Sequence, residues 1–152
     1  MEKFDSIEAI LEYAIQSEQD AVDFYNKLAE KATNKSVEKI FLKNAAEEMG
    51  HKIKLEKVKN EGLFLREFPD GVKDLKLSDY ITKRPPSKIE DYADALRLAM
   101  HREKAAFRLY IKLSKSTENP DMRRLFEKLA DEEASHKLKF ELEYDEYVLR
   151  EN

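Results

Sequence analysis

The sequence predicts an all-α protein, a four-helix bundle made of two antiparallel helix hairpins joined by a long crossover. Three observations predict it. Helix breakers are scarce, with 3 Gly and 4 Pro in 152 residues, and the remainder is rich in Glu, Lys, Leu and Ala, all good helix formers. The segments between helical patterns are very unequal in length, two being short turns and one about 25 residues. The chain also repeats itself. Shifted by 85 residues, the first half falls on the second, with 17 identities in 53 ungapped positions.

The first helix is expected from about Ser6 to Ala32, opened by Asp5 with Glu8 three residues later, a capping-box pattern. The second starts after Asn34 and runs to about Glu61, stopped at Gly62. The third starts after Ser87, with Glu90 three residues on, and runs to about Thr117. The fourth is opened by Asn119 and Pro120 at its first helical position, where a missing N–H costs nothing. It runs nearly to the end of the chain. The short turns around Asn34 and Asn119 make antiparallel hairpins, spanning residues 4–61 and 89–150. The crossover, 62–88, is long enough to run the length of a bundle, and its DLKLSDYI stretch is compatible with a short helix. We expect one domain covering residues 1–152.

Composition narrows the function. Net charge is −4 with both signs interspersed, so no basic stripe points to nucleic acid and no polybasic run to a membrane surface. No stretch approaches the ~20 apolar residues of a membrane span. Cysteine is absent, which excludes disulfides, zinc–thiolate sites, iron–sulfur clusters and thiol nucleophiles within this chain. The acidic start MEKFDSIEAILEYA is unlike a secretory signal, and a soluble, cytoplasmic protein is expected.

The chemistry sits on the inward faces. Helix 1 carries the stripe Ile7, Leu11, Ala14, Glu18, Ala21, Tyr25, Leu28, and helix 3 carries Tyr92, Leu96, Ala99, Glu103, Ala106, Tyr110, Leu113. One glutamate interrupts each apolar row. Helix 2 reads Val37, Phe41, Ala45, Glu48, His51, Leu55, and helix 4 reads Met122, Phe126, Ala130, Glu133, His136, Phe140. In both, Glu and His three apart share a face. Glu18 and Glu103 lie 16 residues before Asn34 and Asn119, and Glu48 and Glu133 lie 14 after them. At about 1.5 Å per residue, all four sit roughly 21–24 Å from their turns, so four carboxylates and two imidazoles should share one layer. Bare, such a cluster is strongly unfavourable. The carboxylates must take up protons or bind cations. Two divalent ions would neutralise the four negative charges, and mixed carboxylate–imidazole donors suit iron or manganese, with zinc as a substitute.

This ligand set resembles that of the ferritin-like di-iron carboxylate bundles, in which two helices give one Glu each and two give a Glu-x-x-His. The likeness extends over almost the whole chain. Within that superfamily it is most similar to the rubrerythrin-type domain, on the long crossover and the E-x-x-A-x-x-F-Y pattern of Glu18, Ala21, Phe24 and Tyr25. The resemblance implies two iron ions. Glu18 and Glu103 would be terminal ligands, Glu48 and Glu133 bridges, and His51 and His136 one ligand to each ion. Tyr25 and Tyr110 would hydrogen-bond ligand carboxylates. Two departures accompany it. Rubrerythrins usually carry a rubredoxin module with four cysteines, which is absent here, and an additional helix-3 glutamate, where this chain has Ala106.

Other residues read more simply. His101 lies roughly 200° around the helix from Glu103 and reads as a surface or boundary histidine. Glu47 and Glu132 read as solvated, and Phe64, Leu65 and Phe68 as cover for the bundle side or a dimer contact. The resemblance implies an oxidoreductase reducing hydrogen peroxide or oxygen, with an external electron donor of the rubredoxin type. The alternative is ferritin-like iron oxidation, storage or metal binding without peroxidase turnover. Substrate hydroxylation and a bundle with an empty site also fit. A homodimer is expected.

Overall fold

The computed structural model describes residues 7–62 and 92–151. The predicted caps at Asp5 and Ser87, the crossover with its short helix, and Phe64, Leu65 and Phe68 lie outside the described residues. Four helices are present: α1 (Ile7–Lys31), α2 (Lys35–Asn60), α3 (Tyr92–Ser116) and α4 (Pro120–Glu151). Each boundary that was read from the described sequence is met to within a residue. No helix among the described residues is long and apolar enough to cross a membrane. The chain divides into two compact units, one built on each hairpin.

In the first hairpin the turn is set by Asn34, whose extended backbone (φ −141°, ψ 158°) lets its side chain accept from the Val37 N–H at 2.9 Å. That satisfies one of the orphan donors at the helix start. α2 then runs antiparallel to α1. Lys52 Nζ donates to Gln19 Oε1 at 2.7 Å and Lys59 Nζ to Glu12 Oε1 at 3.2 Å, so partners rise along one helix as they fall along the other. α2 stops where Gly62 takes φ +66°, the left-handed conformation that favours glycine. Its N–H bonds the Lys59 carbonyl at 3.1 Å.

The second hairpin repeats the design with stronger loop chemistry. Asn119 Oδ1 accepts from the N–H groups of both Asp121 and Met122, at 2.9 and 3.0 Å. Arg123 closes the turn by donating to the Thr117 carbonyl at 2.8 Å. At the far end, Tyr92 Oη donates to Glu143 at 3.0 Å, and Arg97 donates to Tyr144 Oη at 2.9 Å while lying over its ring at 5.6 Å. Apart from Ile7, whose side chain lies outside the described ones, the predicted inward stripes are buried, with Val37, Tyr92 and Ala106 half-buried. Tyr92 stays at the boundary because its hydroxyl reaches Glu143, a partner that itself stays near water.

A candidate metal centre in two matching triads

Each hairpin presents one glutamate from its first helix and a Glu–His pair from its second. The periodicity requires this, because residues three apart lie on the same helix face. In the first hairpin, His51 Nδ1 lies 3.6 Å from Glu18 Oε1 and 3.8 Å from Glu48 Oε1. In the second, His136 Nδ1 lies 3.5 Å from Glu103 Oε2 and 3.9 Å from Glu133 Oε1. Matching distances therefore differ by only 0.1 Å between hairpins. All six side chains are 1–2 % exposed.

These separations test whether the residues fit a metal. At 3.5–3.9 Å the histidine–carboxylate contacts exceed the usual N–H···O range. Donor atoms held about 2.0–2.3 Å from one ion, at angles near 90–110°, lie about 3–4 Å from each other. Glu18, Glu48 and His51 offer ligand atoms within 4.8 Å of one another, and so do Glu103, Glu133 and His136. Each triad holds two carboxylates and one imidazole, a donor set that one divalent ion neutralises and that suits iron or manganese. The residues fit a metal ion in each hairpin.

The surroundings of the two triads also match. One or two turns toward the loop, Tyr25 stacks on Phe41 with ring centroids 6.3 Å apart and 11° between planes. Tyr110 stacks on Phe126 at 6.4 Å and 15°. All four rings are fully buried, closing the loop side of each triad with aromatic surface. Of the other candidates, His101 is exposed, as its angle on the helix requires, and Glu47 and Glu132 are partly exposed.

One residue near the triads was not singled out from the sequence. Asn44, one turn before Glu48, is 3 % exposed, and its Nδ2 makes no hydrogen bond among the described residues. At the repeat offset the second hairpin has Leu129, also buried. The signal was present in the repeat, as a polar residue at a position whose twin is apolar.

Solved structures share this fold. A hypothetical protein from Pyrococcus furiosus is 29% identical, with a TM-score of 0.71 over 93% of this chain and 89% of that one. A protein from Thermotoga maritima, described as a ferritin-like diiron-carboxylate protein, is 24% identical, with a TM-score of 0.75 over 97% of this chain and 99% of that one. Both likenesses take in both hairpins, and the fold is the all-α, ferritin-like four-helix bundle. A search of curated proteins gives no match. The family model for rubrerythrin matches residues 9–144, a span that includes both triads, and the chain belongs to the rubrerythrin family.

Proposed function

We propose that the two triads act together as one di-iron carboxylate centre, and that the protein is an oxidoreductase reducing peroxide or oxygen with electrons from an external donor. The observation that carries this reading is the pair of buried, matching Glu–Glu–His triads in a chain of the rubrerythrin family. Glu18, Glu48 and His51 would hold one ion, and Glu103, Glu133 and His136 the other, with manganese or zinc able to substitute. When bound, two ferrous ions supply the two electrons that reduction of peroxide to water requires.

The chain's own groups do the rest. Four carboxylates and two neutral imidazoles leave a +4 ion pair neutral, so its burial is not opposed by net charge. Glu18, Glu48, Glu103 and Glu133 would supply the negative charge that balances the ions when bound. The stacked pairs Tyr25–Phe41 and Tyr110–Phe126 exclude water from the loop side, and the tyrosine hydroxyls would orient ligand carboxylates. These 152 residues hold no cysteine, and we propose an external electron donor of the rubredoxin type. We propose a homodimer as the assembly.

The test is iron analysis and visible spectroscopy on protein purified without oxygen, then titrated with hydrogen peroxide. The expected result is about two irons per chain and an oxo-bridge absorption that develops with peroxide. Reduced, iron-loaded protein that fails to oxidise would overturn the enzymatic reading. A closed shell of many subunits in sedimentation would favour iron storage instead.

A further inference from the structure

The duplication supplies an internal control for features that one hairpin has and the other lacks. Between α3 and α4 lies a cavity of about 330 Å³, at the small end of the roughly 300–1,000 Å³ range of small-molecule sites. Its floor is apolar, made by Phe107, Ala134 and Leu138, and its rim is charged, with Lys104, Arg108, Lys137 and the carboxylate Glu141. Leu138 is 55 % exposed, a large apolar side chain left open to solvent. Lys137 is paired with Glu141. Lys104 and Arg108, exposed and one turn apart on α3, have no ion-pair partner among the described residues. Two like charges at this spacing repel each other.

The first hairpin treats the same place differently. At the 85-residue offset, Lys104 and Arg108 correspond to Gln19 and Asp23, and Lys137 to Lys52. There Lys52 donates to Gln19 at 2.7 Å and Gln19 donates to Asp23 at 2.9 Å. A hydrogen-bonded chain of balanced charge thus crosses the space between α1 and α2. In the second hairpin that crossing is lost, because two cations now face a third. The result is an open apolar slot with two uncompensated positive charges at its edge.

We propose that this slot binds a small amphipathic organic acid, a single carboxylate on an unbranched apolar chain of about eight carbons. Lys104 and Arg108 hold the carboxylate, and the chain lies along Phe107 and Leu138. The two cations reject an amine head group, and the apolar floor separates such an acid from a small inorganic anion. The site is distinct from the triads and does not rest on their function.

The test uses the full-length protein and octanoate, followed by backbone amide resonances, with octylamine, octanol and acetate as controls. Octanoate is expected to shift residues of 104–108 and 134–141 saturably, with half-saturation at about a millimolar. The three controls are expected to shift them at least tenfold less at equal concentration. The double variant Lys104→Gln, Arg108→Asp installs the first hairpin's own residues at two exposed positions. It should melt as the parent does and bind octanoate at least about tenfold more weakly, the order expected for losing charge-assisted hydrogen bonds. Equal binding of octanol or octylamine would overturn the proposal, as would the absence of saturable shifts. Binding that survives the double substitution, as an acid held at the Glu–His triads would show, would also overturn it.

Discussion

Replacing Glu18 by Gln should change the sign of its effect on stability when metal is added. Glu18 and Glu48 are buried, and their ligand atoms lie within 4.8 Å. When both are ionised and no cation is present, an effective dielectric of about 20 gives a repulsion of about 3.5 kcal/mol at that distance. The amide keeps the shape and removes the charge. In chelator, Glu18→Gln should therefore be more stable than the parent by up to about 3 kcal/mol, a rise of about 6–12 °C in melting temperature for a chain of this size. With excess ferrous or manganous ion the order should reverse. The parent gains binding free energy in its folded state, about 2.7 kcal/mol for each site at an ion concentration 100 times Kd, and the variant has lost a charged donor. Glu103→Gln should behave alike, because its triad has matching distances. The assay is thermal unfolding by circular dichroism, in chelator and in metal, with metal content measured on the same samples. A Glu18→Gln protein that is destabilised equally under both conditions would refute the reasoning, since the carboxylate would then be serving packing or hydrogen bonding rather than an ion.

Other substitutions test the surroundings. Asn44→Leu installs the twin residue Leu129 and removes a buried amide whose Nδ2 makes no hydrogen bond among the described residues; it should stabilise by about 1–3 kcal/mol, and a lower melting temperature would show that the amide has a partner. Gly50 sits inside α2, and a Cβ built there meets nothing within 4 Å. Gly50→Ala should therefore stabilise by about 0.5–1 kcal/mol, read by the same melts. Burial, and then the neighbouring Glu143 carboxylate, push the Tyr92 phenol well above its ordinary value. Because the folded-state value is the higher one, Tyr92 contributes stability that is present below about pH 10 and lost as pH rises beyond it. Ultraviolet titration of the parent against Tyr92→Phe should assign a late-ionising phenol to Tyr92 that moves down in Glu143→Gln, and Tyr92→Phe should lose less stability above pH 10 than the parent. Asn119→Ala removes an acceptor that serves two backbone N–H groups, against one for Asn34. It should cost about 1–2 kcal/mol and more than Asn34→Ala.

Helix ends were legible because they are set by local chemistry. Asn34, Asn119, Pro120 and Gly62 act on the backbone within a few residues, so a reading of neighbours suffices. The triads were legible because the repeat places Glu18 with Glu103, Glu48 with Glu133 and His51 with His136, and helical geometry then decides which side chains share a face. What escaped depends on helix rotation and on partners distant in the chain. Nothing local says that Asn44 points inward, that Tyr92 stops at the boundary to reach Glu143, or that Arg97 finds Tyr144 across the hairpin. The slot between α3 and α4 arises from two separate differences between the hairpins, Lys104 for Gln19 and Arg108 for Asp23, and only their common location gives them meaning.

The matching triads have a consequence for how the protein comes into being. His51 follows Glu18 by 33 residues, and His136 follows Glu103 by the same number. Each triad is thus written in a short window of chain and closed by a turn of a few residues. Hairpins of this kind form from local contacts, with little loop entropy to overcome and correspondingly fast folding. During synthesis at about 5–20 residues per second, the first triad would leave the ribosome seconds before the second exists. A nascent chain in an iron-containing cell would then meet its first ion with half of its ligands, and the second hairpin would complete its own triad only afterwards.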